Sequence, residues 1–279
     1  SLLKMINNMK KTLNVALDVL WYLVVFALVQ FVVTSAGGLL MIGIKGLPLS
    51  SISHILTTNA MLTIVTSILS SLITIALFVW RGWASKSRKY IQSRPWTTLV
   101  WVAIATFGLI LPAAGLEELM KLEMPKQLEN LFSGIMKEPL GYVAIGMLAP
   151  LAEEIVFRGA ILRRLLSVLG DKKHWVAILI SALLFGAVHA NSAQFVHAAL
   201  LGLLLGWMYY RTDSIVPGVV LHWVNNTVAY LASNFMPGTE DATLSQLAGG
   251  QTMRIVLYLV FSLCIFFPAL YQLNTRLKK

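Results

Sequence analysis

The sequence predicts an all-α membrane protein, a polytopic bundle of about eight transmembrane helices around a central polar intramembrane cavity. Three observations carry that prediction. Hydrophobic residues make up 57% of the chain and charged residues only 12%, with a mean hydropathy of +0.75, far outside the range of a soluble domain. Apolar runs recur at the length of about 20 residues that a helix needs to cross a bilayer. Ionisable and amide side chains inside those runs gather into three short motifs in the second half of the chain. The net charge of +10 does not point to nucleic acid, because the bases flank apolar runs, where they set topology. A single cysteine, Cys264, excludes a disulfide framework and a thiolate zinc knuckle; it is expected to pack as a small hydrophobe in the last span.

Each span follows in order. Lys4, Lys10 and Lys11 precede a run over 15–34 that is too long for a signal-peptide core and reads as a retained first span with its N-terminus inside. Asp18, near its head, is expected to snorkel to the interface. Residues 36–59, rich in Gly, Ser and Pro, read as an outer loop or a short interfacial segment. The second span covers 60–80, and Arg81, Lys86, Arg88, Lys89 and Arg94 then mark an inner loop flanked by Trp80, Trp83, Tyr90 and Trp96 as an aromatic belt. A third span over 97–114 leads to an outer segment whose Leu116, Met120, Leu122, Met124, Leu128 and Leu131 suit either of two roles. One is the face of an interfacial helix broken at Pro125, which could cover a substrate opening, and the other is a solvated connector.

The fourth span, 140–169, emerges at the inner bases Arg163, Arg164, Lys172 and Lys173. The fifth and sixth, 175–190 and 195–210, are joined by the short link Asn191-Ser192; Gly202 and Gly206 on the sixth argue for close helix packing. The seventh covers 215–235, an outer loop carries Glu240 and Asp241, and the eighth runs over 256–273 to Arg276, Lys278 and Lys279. Bases and acids thus fall on alternate loops, which predicts both termini inside. The short basic start without targeting elements suggests a bacterial plasma membrane. The expected organisation is an N-terminal helical part over 1–139, a core over 140–236, and an outer loop with a last helix over 237–279.

Function is expected where the apolar pattern is broken. The fourth span holds Glu153, Glu154 and Arg158, and ionisable groups in hydrocarbon default to function. Glu154 and Arg158 are four apart, acid first, the favourable order for an ion pair, so Glu153 points to a different face. Pro150 predicts a kink or a fresh helix start just before the acids. Phe185 and His189 share one face of the fifth span, as do His222 and Asn226 on the seventh. Unpaired polar groups are costly in lipid, so the three motifs are expected to converge on one wet cavity. Depth is a difficulty. By rise per residue, Glu153 and His222 fall in the inner half and His189 nearer the outer face, so a kink, a tilt or an extended fifth helix is needed.

A carboxylate, two imidazoles and an amide suit amide hydrolysis. Glu153 can take a proton from water, a histidine can orient that water or protonate the leaving amine, and His and Asn donors can stabilise an oxyanion. Glu153, His189 and His222 also match two-His-one-carboxylate zinc ligation, and the sequence leaves both open; the asparagine, an uncommon zinc ligand, favours the metal-free form. Ser181 and Ser192 lie near His189 without a nucleophile elbow. His197 reads as interfacial or packing, and His54 and His174 show no partner pattern. A transporter with a charged path and a non-catalytic scaffold are the rival classes.

Glu153-Glu154-x-x-x-Arg158, Phe185-x-x-x-His189 and His222-x-x-x-Asn226, in that order across about eight spans, resemble the CPBP family of intramembrane proteases. That family includes type II CaaX prenyl endopeptidases and bacteriocin-immunity (Abi) proteins. The resemblance covers roughly 140–235. It implies Glu153 as the water-activating base assisted by His189, His222 and Asn226 as the oxyanion site, and Glu154 and Arg158 in support. It also implies a peptide or lipidated protein as substrate. The family has been described both as zinc metalloproteases and as metal-independent glutamate proteases, so the cofactor stays open between none and zinc.

Overall fold

The computed structural model describes residues 2–85, 87–236, 238 and 242–277. Lys86, Glu240, Asp241, Lys278 and Lys279, whose charges entered the topology argument, lie outside the described residues. The described chain is helical, with no strand. Its order is α1 (Leu2–Lys45), α2 (Ile52–Thr58), α3 (Ala60–Trp80), α4 (Arg88–Gln92), α5 (Trp96–Leu119) and α6 (Lys126–Met136). There follow α7 (Pro139–Leu169), α8 (His174–Ala187), α9 (Ser192–Thr212), α10 (Val216–Phe235), α11 (Leu244–Leu247) and α12 (Thr252–Arg276).

All eight expected spans are helices, but six of them are long and apolar enough to cross a membrane: α1, α3, α5, α7, α9 and α12. The protein is therefore a polytopic helical membrane protein. The two that fall short do so for different reasons. α8 has only 14 residues, about 21 Å of helix against about 30 Å of hydrocarbon. α10 has 20 residues, but His222, Asn225 and Asn226 dilute its apolar character.

The expected loop over 36–59 is corrected. α1 continues unbroken to Lys45 as a 44-residue helix, and α2 follows within the same stretch. Gly37 and Gly38 are packing residues and not loop signals: a Cβ on Gly37 would meet the Thr66 side chain at 2.7 Å, and one on Gly38 would meet Leu56 at 2.9 Å. Asp18 does not stand alone at the interface either, since its Oδ2 accepts from Arg164 Nε at 2.7 Å and ties α1 to α7. Cys264 is exposed on α12, on the side a bilayer would cover.

α7 is the central helix. Every residue from Ile155 to Leu162 is buried, so this segment has no outward face, as expected for a helix enclosed by others. Phe157 packs edge-on against Phe26 of α1 and tilted against Phe185 of α8. Around it α1 lies along α3, α8 along α9, and α12 along α5. The outer faces of α1, α5 and α12 carry exposed Leu, Val, Trp and Phe in quantities that a soluble surface does not carry and lipid would cover. Side-chain ties group the loops by end. Tyr209 meets Ser85, the Ile215 N–H donates to Ser87, and Arg211 donates to Asn274, so the basic loops share one end of the bundle. At the other end Gln127 donates to Thr57, Asn234 to the Met136 carbonyl, and the Ser245 N–H to Glu118.

The α5–α12 crossing is closest at Gly108, where an added Cβ would lie 2.6 Å from the Phe266 backbone nitrogen. Gly108→Ala is expected to lower stability in detergent by about 1–3 kcal/mol, because backbone cannot move aside as a flexible side chain can. Gly43→Ala, with nothing within 4 Å of its Cβ, should be neutral or slightly stabilising in the same thermal unfolding measurement.

Candidate active site

The helix that carries the acids is not interrupted at Pro150. α7 runs through it with all residues in right-handed helical geometry, but the register loosens to π-helix over Tyr142–Leu148 and again over Ile155–Leu162. The fresh start expected just before the acids takes the form of this change of pitch, with an α-helical segment that begins at Ala149 and carries the proline in its first turn. In the π register the Ala149 N–H donates to Ala144, and the next donor, to Ile145, would be residue 150. Proline has no N–H, so the Ile145 carbonyl needs another partner. Asn226 of α10 supplies it, donating Nδ2–H to Ile145 O at 2.9 Å, while its Oδ1 accepts from Asn225 at 3.2 Å. One of the sequence-predicted site residues is thus also the clasp between α7 and α10.

Beyond Pro150, Glu154 and Arg158 form the expected i,i+4 pair, with Arg158 Nη1 at 2.8 Å from Glu154 Oε1 and both side chains fully buried. The fit depends on glycine. A Cβ on Gly218 of α10 would sit 2.5 Å from Glu154 Oε2, and one on Gly202 of α9 would sit 3.0 Å from Arg158 Nη2. Gly202 therefore serves the charged pair as well as helix packing. The guanidinium lies over the Phe185 ring, 4.4 Å from its centroid, which returns part of the solvation lost on burial. Glu154 Oε2 and Arg158 Nε and Nη2 have no hydrogen-bond partner among the described residues.

His222 stands between the two carboxylates. Its Nε2 is 3.5 Å from Glu153 Oε2 and its Nδ1 is 3.7 Å from Glu154 Oε1. Phe185 meets both histidines edge-on, with centroids 5.3 Å from His189 and 5.8 Å from His222. His189 is not on the helix, as its spacing from Phe185 suggested; it lies in the turn just after α8 ends at Ala187. There its Nδ1 is 2.9 Å from the Phe185 carbonyl, which can only accept, so Nδ1 carries the hydrogen and Nε2 is left as the acceptor. The fifth helix is short, with 14 residues, and the turn that ends it brings His189 to the same cavity as Glu153 and His222.

Glu153, His189, His222 and Asn226 line one cavity of about 570 Å³. Gln194 and Asn225 also line it, and so do His197 and Glu117, which meet each other at 2.5 Å on its rim. Reading the sequence missed Gln194, Asn225 and the Glu117 partner of His197; the Asn225-Asn226 doublet inside an apolar run was the visible signal. α6 contributes Leu128, Leu131, Phe132 and Ile135 to the same cavity, so the outer segment is a helix whose apolar side covers the site. Leu116 and Met120 do not belong to that face, being in the last turn of α5 and just after it. A larger apolar groove of about 840 Å³ runs between α5, α9 and α12, but its one ionisable pair is that same rim contact. The sequence-predicted site residues therefore gather in the smaller cavity. Among the described residues no three His, Cys, Asp or Glu side chains are grouped as a metal ion would require, so Glu153, His189 and His222 as arranged do not fit the zinc set.

Breaking the buried pair from one side should be costly, because it strands a charge. Arg158→Met is expected to destabilise the protein by about 3–5 kcal/mol, whereas Arg158→Met with Glu154→Gln should recover most of that loss. Unfolding of both variants in detergent checks the difference.

The chain was compared with known proteins. Residues 135–228, about a third of its length, match the family described as type II CAAX prenyl endopeptidase Rce1-like. No curated protein and no solved structure matches it significantly. The matched region contains all three motifs, from Glu153 to Asn226. The match over residues 135–228 is consistent with a CPBP family intramembrane protease and supports a CAAX-type protease in general.

Proposed function

We propose that the protein is an intramembrane endopeptidase that hydrolyses a peptide bond in a membrane-associated peptide or protein, of which a prenylated CaaX-type chain is one candidate, with Glu153 as general base. The observation that carries this reading is the approach of Glu153 to His222 at 3.5 Å in a cavity that also holds His189 and Asn226. Glu153 takes a proton from a water molecule as its oxygen bonds to the scissile carbonyl carbon. The oxyanion that forms is met by His222 and by the Asn226 amide hydrogen not spent on Ile145. The C–N bond then breaks, and the proton taken from water passes to the leaving nitrogen, leaving a carboxylic acid and an amine. His189, with Nε2 free to accept, orients the water. Glu154 and Arg158 act as positioning residues: they hold a compensated charge behind His222 and fix its ring.

The fit of residues 140–236 to one catalytic unit, with 1–139 and 237–279 around it, belongs to the same proposal, as does a plasma-membrane setting with both termini inside. Substrates of this size and polarity would meet the cavity under α6, whose apolar side is already turned towards it.

Glu153→Gln keeps the shape of the side chain and removes the base. Cleavage of a quenched fluorescent membrane-anchored peptide should fall by about 10²–10⁴-fold, the usual contribution of a general base, with the thermal unfolding midpoint unchanged. Retained cleavage would refute the assignment, and a chelator arm that abolishes cleavage with recovery on zinc would overturn the metal-free form. Asn226 can be separated into its two roles. Asn226→Leu should lose both stability and activity, and adding Pro150→Ala, which gives Ile145 a backbone donor again, should restore stability and leave activity low. Recovery of both would show that Asn226 is a clasp alone.

A further inference from the structure

α3 carries a polar stripe through the middle of an apolar span. Thr63, Thr66 with Ser67, Ser70 with Ser71, and Thr74 recur at three- to four-residue spacing, so they lie on one face. Thr66, Ser70, Ser71 and Thr74 are 4%, 5%, 8% and 1% exposed. Hydroxyls in such helices commonly satisfy themselves on the carbonyl one turn back, and Thr63, Thr66 and Ser70 do so on Asn59, Leu62 and Thr66. Thr74 does not. Its Oγ1 is buried and has no hydrogen-bond partner among the described residues.

The stripe faces a cleft of about 240 Å³ between α1, α3 and α7. Gln30 and Thr34 of α1 line its opposite wall, and Gln30 is an amide well inside the apolar part of α1. Such a group is costly in hydrocarbon unless it is wetted or paired. At its end the cleft reaches Glu153, which with Ser67 also lines the catalytic cavity. One carboxylate therefore has substrate space on one side and a hydroxyl-lined cleft on the other.

We infer that this cleft is a path that delivers water to Glu153 from the side opposite the substrate. The inference rests on the reading of Glu153 as the water-activating base. Hydrolysis consumes one water for each bond cut, and a peptide lying under α6 in the apolar cavity would block supply from that side. The cleft is smaller than the usual 300–1,000 Å³ of a small-molecule site, yet it has room for several waters. Its lining offers donors and acceptors with no charge apart from Glu153 itself, which suits water better than an ion or a peptide. The unpartnered Thr74 hydroxyl gives a water one of the partners it needs.

Two arms test it on the full chain in lipid nanodiscs. In a Cys264→Ser background, Ser71→Cys should react with silver ions, a probe of near-water size, about tenfold faster than Leu72→Cys, whose side chain is 48% exposed on the lipid side. Equal or absent reaction at position 71 overturns the path. In the second arm Thr74→Val, which keeps shape and loses the hydroxyl, should lower kcat by about tenfold at unchanged KM, and Thr74→Ser should restore it. An unchanged kcat, or a change confined to KM, overturns the path. The two readings fail separately. If wild type cleaves and Ser71→Cys is inert, the path is wrong and the protease stands. If Ser71→Cys reacts and not even wild type cleaves, the protease reading is wrong and the path falls with it.

Discussion

The buried pair of Glu154 and Arg158 is the constraint on which the rest of the site depends. Two full charges with no exposure to solvent are stable only while each compensates the other, and three of their polar atoms have no further partner among the described residues. Every element around them is shaped to keep them so. α9 and α10 present glycines where any side chain would push the pair apart, and Phe185 supplies a ring face for the guanidinium. The consequence reaches the chemistry through His222, which lies against Glu154 on one nitrogen and Glu153 on the other.

The second device is the irregular pitch of α7. A proline inside a helix leaves a carbonyl without its donor, and in hydrocarbon no bulk water stands in for it. The orphan is taken up by Asn226 from a different helix, so the defect in one helix becomes the point of registration for another. π-helical turns on both sides of the acids widen the helix and change which faces its side chains take. The acids themselves lie in the α-helical segment between these turns, where successive residues point about 100° apart, so Glu153 opens to the cavity while its neighbour Glu154 is sealed behind it.

A third consequence follows from lengths. α8 is too short to span, and its early end lets His189 line the same cavity as Glu153. α1 is about 66 Å long, well over the thickness it has to cross, and its far part packs on α3 at Gly37 and on α2 at Gly38. Neither length is visible in an apolar run alone, because a run measures hydrophobicity and not where the hydrogen-bonded ladder stops.

What the sequence by itself determined is considerable. Apolar run length and charge placement specify a helical membrane bundle, since hydrocarbon tolerates few charges and demands satisfied backbones. Residue type within those runs singled out Glu153, Glu154, Arg158, His189, His222 and Asn226, and the four-residue spacing specified the Glu154–Arg158 pair. Composition misled at Gly37 and Gly38, where small size for close packing looks like flexibility for a loop, and spacing misled at His189, where four residues were taken for a helical face. It was silent on the partners of Asn226 and His197, on Gly218 behind Glu154, and on the α3 stripe facing Glu153. Those depend on contacts between helices far apart in the chain. A periodicity shows which residues share a face, and only the tertiary structure decides what that face meets.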